Sequence, residues 1–101
     1  MPVTTSFENG ELTVFLSGDI DHHMASVMRG EIDRAIESAL PQKLIIDFNE
    51  ITFMDSSGIG LVMGRYKLMK SINGETEIVN TSPYIRKIMK LAGLELLKII
   101  K

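Results

Sequence analysis

The run Asp55-Ser56-Ser57-Gly58 sets an acid, two hydroxyls and a flexible position side by side. Three chemistries use such a set: attack by an activated serine, binding of a phosphate, and acceptance of a phosphoryl group. Attack needs a base, yet both histidines, His22 and His23, precede the serines, and Met54 stands where a nucleophile elbow has glycine. A serine hydrolase is disfavoured. Gly58, Gly60 and Gly64 suggest a dinucleotide loop, but the third glycine comes one residue late and the first crossover lies upstream of it. There is no P-loop, so ATP is expected to be a partner's ligand and no cofactor is expected here. A metal site is improbable too, because adjacent His22 and His23 do not face each other on a helix.

Phosphoryl acceptance is the third possibility, although local spacing alone favours a plain cap. A serine at a helix start lies beside backbone N–H groups without partners, so a phosphate there gains hydrogen bonds and a favourable helix dipole. It would also add about −1.5 to −2 charge at pH 7, next to Asp55 and near Asp21. Aspartate and serine before a helix are often plain N-caps. The two roles are compatible if Asp55 or Ser57 caps while the Ser56 hydroxyl stays accessible.

Composition bounds the rest. A 101-residue chain, 45% hydrophobic and without cysteine, implies one domain with a core that needs no disulfide or thiolate metal site. Net charge of −2, with acids and bases mixed and no basic run, disfavours nucleic acid. The N-terminus lacks a targeting pattern, and the charge-free stretch 56–64 is far short of the roughly 20 residues of a membrane span. A cytoplasmic monomer without membrane association is expected.

The elements that position the serine follow from periodicity. Residues 3–7 and 12–16 are rich in β-formers around the turn signal Glu8-Asn9-Gly10-Glu11, predicting an opening hairpin. Leu12, Val14 and Leu16 fall on one face and Phe15 on the other. Over 24–40 the apolar residues recur at helical spacing until Pro41, and Leu44-Ile45-Ile46 with Phe48 reads as a central strand covered on both faces. A second helix over 57–72 closes at Asn73-Gly74, a strand covers 76–79, a third helix runs from Ser82-Pro83 to about 91, and a short final strand is predicted over 96–100. The fold class is α/β: a mixed four- to five-stranded sheet with an antiparallel N-terminal hairpin and helices after the later strands. Parallel strands two to four bring segments 18–21, 54–58 and 80–83 to one edge. In the second helix Ile59, Leu61, Val62 and Met63 cover more than one face, which suggests a contact surface beginning at Ser56 with Met63 as an adaptable packing element.

Two separated motifs add a resemblance. Asp47-Phe48-Asn49-Glu50-Ile51-Thr52-Phe53-Met54-Asp55-Ser56-Ser57-Gly58-Ile59-Gly60, continuing to Gly64-Arg65-Tyr66-Lys67, and Gly18-Asp19-Ile20-Asp21-His22-His23 upstream resemble the signature of the STAS family. That domain is shared by sulfate transporters and anti-sigma factor antagonists, and the likeness spans essentially the whole sequence. It implies a regulated protein–protein interaction in which an anti-sigma factor, itself a serine kinase, phosphorylates Ser56 and a PP2C-type serine phosphatase reverses this. Asp21 is implied as a helper in partner recognition or phosphorylation, and the partner-binding set is Asp21, Asp55, Ser57, Gly58, Ile59 and Met63. A phosphoaspartate receiver, with Asp55 after the third strand, is disfavoured by the opening hairpin. The alternative within the family is an unphosphorylated scaffold or transporter-associated subunit. Chains of this kind commonly continue beyond the last strand, whereas this sequence stops at Lys101.

Overall fold

Asn9 and Gly10 both take positive φ, 53° and 80°, the pair that a type I′ turn requires. They join β1 (Val3–Glu8) to β2 (Glu11–Ile20) as an antiparallel hairpin in the computed structural model, which describes residues 2–101. The chain then crosses through α1 (His22–Ala39) to β3 (Lys43–Met54), through α2 (Ser57–Ser71) to β4 (Glu75–Val79), and ends in α3 (Pro83–Leu91) and a 3-10 turn, Leu94–Leu97. Strand order is β1-β2-β3-β4, with β3 parallel to both β2 and β4. The mixed sheet and the two parallel crossovers expected from the sequence are therefore present.

Caps set the helix bounds. Asp21 accepts the Met24 N–H at 2.8 Å and starts α1 two residues before the apolar periodicity begins. Ser82 accepts the Ile85 N–H at 3.2 Å, with Pro83 in the first turn of α3. After α2, Asn73 takes the left-handed conformation at φ 60°. Gly74 serves close approach instead, since a Cβ there would collide with the Met69 side chain.

Leu12, Val14 and Leu16 of β2 lie on one face with Leu44, Ile46 and Phe48 of β3 and Ile78 of β4, each at most 2% exposed. The helices close that face with Met28, Ile32, Ile36, Val62, Met69, Ile85 and Met89, all buried. Each such side chain contributes about 1.5–3 kcal/mol relative to exposure. Two expectations are corrected. The central strand is not covered on both faces: Ile45 and Asp47 are only half-buried and Phe15 is exposed, so the second face stays open. The apolar run that imitated a doubly covered strand reflects one core face plus Ile45. The final strand over 96–100 reduces to one parallel bridge from Ile100 to Ile78, because residues 94–97 coil into the 3-10 turn and Lys98 takes a left-handed φ of 59°.

Candidate functional site: the carboxyl edge of the sheet

The three parallel strands end at one edge, and hydrogen bonds tie their exits together. The Asp55 N–H donates to the Ile20 carbonyl at 3.1 Å, joining the end of β3 to the end of β2. Tyr84 of α3 donates its hydroxyl to the Met54 carbonyl at 3.2 Å, adding the third exit. Two register shifts between β2 and β3, after Phe15 and after Gly18, each insert one extra residue in β3. Such bulges re-aim side chains at working edges. Thr52, the second extra residue, donates to Asp19 at 2.6 Å and holds the two strand ends level.

At the start of α2 the Asp55 carboxylate accepts the Ser57 N–H at 2.8 Å, and the Asp55 and Ser56 carbonyls accept from Gly58 and Ile59. The Ser56 side chain makes no cap hydrogen bond, although its backbone is already helical at φ −62° and ψ −17°. Ser56 is exposed. The aspartate therefore does the capping, and the first hydroxyl of the pair faces solvent at a helix N-terminus.

Not every expected contact residue is available. Asp55 and Ser57 are half-buried beside Ser56, and Asp21 is exposed with its carboxylate engaged by α1. Ile59 and Met63, four apart on α2, are half-buried against the core and keep part of their surface free. Gly58 is buried: a Cβ there would strike the Met54 Sδ and Cγ, so this position fixes the approach of α2 to β3 rather than meeting solvent. No hydrogen bond joins His22 or His23 to either serine among the described residues, and none of these holds a cluster of three His, Asp or Glu side chains.

Other residues at the edge escaped the sequence reading. Phe53, next to Met54 in β3, is 44% exposed, and Tyr84, whose hydroxyl reaches the Met54 carbonyl, is 51% exposed. Phe53 reads as core in a linear pattern because the Thr52 bulge that changes its setting leaves no mark in composition. Tyr84 carried a signal: it precedes Ile85 and Met89, the buried pair of α3, and so falls off the buried stripe. Between α1 and α2, Arg65 is 6% exposed with its Nε 2.8 Å from Asp33 Oδ1, a close ion pair whose angle is not that of a hydrogen bond. Burial pulls the Arg65 pKa down, Asp33 opposes that, and nearby Arg29 adds to it.

The STAS domain model matches residues 2–101, and the chain belongs to the STAS family. It is 32% identical over 94 residues to an anti-sigma F factor antagonist of Paenibacillus polymyxa, covering 93% of this chain and 80% of that one. An anti-sigma F factor antagonist of Lysinibacillus sphaericus is 36% identical over 83 residues, 82% of this chain and 71% of the relative. Among solved structures, the anti-sigma factor antagonist SpoIIAA in its unphosphorylated form superposes with a TM-score of 0.84 at 31% identity, covering 98% of this chain and 85% of that one. SpoIIAA in its phosphorylated form gives 0.76 at 31% identity, with 98% and 88% covered. No helix among the described residues is long and apolar enough to cross a membrane.

Proposed function

We propose that this chain is an anti-sigma factor antagonist of the F type, a monomer that docks through its carboxyl edge on an anti-sigma factor and is switched by phosphorylation of Ser56. One observation carries the reading: Ser56 offers an exposed hydroxyl at the start of α2 whose capping duty Asp55 has taken over. The names of its relatives, and the existence of SpoIIAA in phosphorylated and unphosphorylated forms, support it. In this reading the anti-sigma factor is also the serine kinase and supplies the ATP, and a PP2C-type phosphatase restores the unmodified state.

The electrostatics give the switch its direction. A phosphate on Ser56 lies at the favourable end of the α2 dipole, while the first-turn amides keep their bonds to Asp55 and to main-chain carbonyls. It also places about −1.5 to −2 charge on a rim that already holds Asp19, Asp21 and Asp55. Desolvating that cluster against a partner is costly. A hundredfold weaker complex needs only about 2.7 kcal/mol of difference between the two forms. Phe53 and Tyr84 supply apolar contact area beside the charge, the residue types that dominate interface energies.

The test is incubation with the cognate anti-sigma factor and ATP, mass spectrometry of the product, and calorimetry of each form. Phosphate on Ser56, a tight complex for Ser56→Ala and a weaker one for Ser56→Asp are expected. Equal affinities for those two variants overturn the switch. Absence of phosphate from every serine points to the unmodified scaffold reading instead.

A further inference from the structure

Below the serine edge, α1 and α2 part to leave a hollow of about 350 Å³, lined by His22, Ser26 and Arg29 of α1 and by Ser57, Gly60 and Leu61 of α2. It begins at Ser57, the neighbour of Ser56. Packing within this chain does not explain its openness. Beyond the two chain neighbours and the helix's own backbone, no atom lies within 4 Å of where a Cβ would stand at Gly60 or at Gly64, although alanine at either position favours the helix. Charge is also left over. Arg29 is exposed with no carboxylate in contact among the described residues, while Asp33, one turn further along α1, is taken by Arg65. The Asp33 carboxylate between the helices is thus committed to Arg65, and Arg29 is left without a partner acid among the described residues.

We propose that this groove extends the docking edge and receives a segment of the anti-sigma factor bearing an acidic side chain, which pairs with Arg29 while Gly60 and Gly64 let the segment approach the α2 backbone. The inference rests on the reading of the chain as an anti-sigma factor antagonist and names a second contact for that partner. A free phosphate suits the groove less well, because the amides it would seek at the starts of the two helices are engaged by Asp21 and Asp55 and those carboxylates repel it. A single carboxylate held at Arg29, two turns into α1, avoids both. The contact is continuous with Ser56 yet separate from it, so a partner grips the edge and the groove together.

Calorimetry of the unphosphorylated full chain against the purified cognate anti-sigma factor tests this, with Arg29→Glu, the double variant Gly60→Ala/Gly64→Ala, and Ser56→Asp measured side by side. Arg29→Glu is expected to weaken the complex by about tenfold or more, and lysine at one acidic position of the partner is expected to restore it. The double glycine variant is expected to melt at a higher temperature and to bind more weakly. Affinity for Arg29→Glu within about twofold of the parent overturns the groove, as does a glycine variant that binds normally or melts lower. Ser56→Asp binding like the parent overturns the switch and leaves the groove standing. Absence of any complex with the parent chain overturns both.

Discussion

The Asp55 carboxylate accepts the Ser57 N–H at 2.8 Å across Ser56, which lies between the two and contributes no side-chain hydrogen bond of its own. The cap therefore falls to Asp55 and leaves Ser56 out of it, a division that a linear reading cannot make.

That division is measurable. Asp55→Ala is expected to cost about 0.5–2 kcal/mol, the usual loss for a removed N-cap. Ser56→Ala, at an exposed and uncapped position, is expected to stay within about 0.5 kcal/mol of the parent. Urea denaturation of the two variants decides it, and a larger loss at Ser56 than at Asp55 would reverse the assignment of the cap.

Gly58 and Met54 are predicted to couple strongly. Gly58→Ala drives a methyl into the fully buried Met54 side chain and is expected to cost about 1–3 kcal/mol. Met54→Ala is expected to lose about 2–5 kcal/mol through its cavity. In the double variant the alanine at 58 fills part of that space, so the combined loss falls short of the sum by more than about 0.5 kcal/mol. Simple additivity in thermal or chemical melts would mean that the two side chains do not meet.

The pair between α1 and α2 has an asymmetric cost. Removing Asp33 leaves the buried Arg65 guanidinium with its 3.4 Å bond to the Leu61 carbonyl but no paired carboxylate, and with the charge of Arg29 nearby. Asp33→Ala is expected to destabilise by about 2 kcal/mol, below the roughly 3–5 kcal/mol of a fully buried pair, because the Asp33 side chain is 29% exposed. Arg65→Met in the Asp33→Ala background removes the stranded charge and is expected to recover much of the loss. A double variant less stable than Asp33→Ala alone argues against stranded charge as the cause.

On the open face of the sheet, Lys43 lies 3.1 Å from Glu77 and 4.0 Å from Glu11. The hydrogen bond and charge of Glu77 raise its pKa above the ordinary 10.5, with smaller help from Glu11 and Glu75. A base whose folded pKa is raised stabilises fully below its unfolded value and loses that contribution as pH climbs through the folded value. Melting curves of the parent and of Lys43→Gln should therefore converge above pH 10.5 and differ most at neutral pH and low salt. A gap between them that widens in alkali would contradict the pairing.

Much of this fold was written in local patterns. Asn9-Gly10, the three-and-four spacing of Met28, Ile32 and Ile36, and Ser82-Pro83 each declare an element on their own, and the order of elements then forces parallel neighbours and a shared edge. What stayed hidden depends on partners distant in sequence. Ile45 looks as buried as Ile46 until the absence of a second helical layer is known. Leu96, Leu97 and Ile99 resemble a strand, yet a left-handed Lys98 breaks the run. Phe53 joins the exposed edge because of a bulge that depends on where β2 pairs with β3, and Asp33 meets Arg65 across two helices with no trace in spacing. The placing of Ser56 at a helix start was legible; the surface that surrounds it was legible only in part.

The first-turn amides of α2 donate to the Asp55 carboxylate and to main-chain carbonyls, so esterifying the Ser56 oxygen breaks none of these bonds. On the proposed reading, a phosphate added there has no slow rearrangement of the chain to wait for.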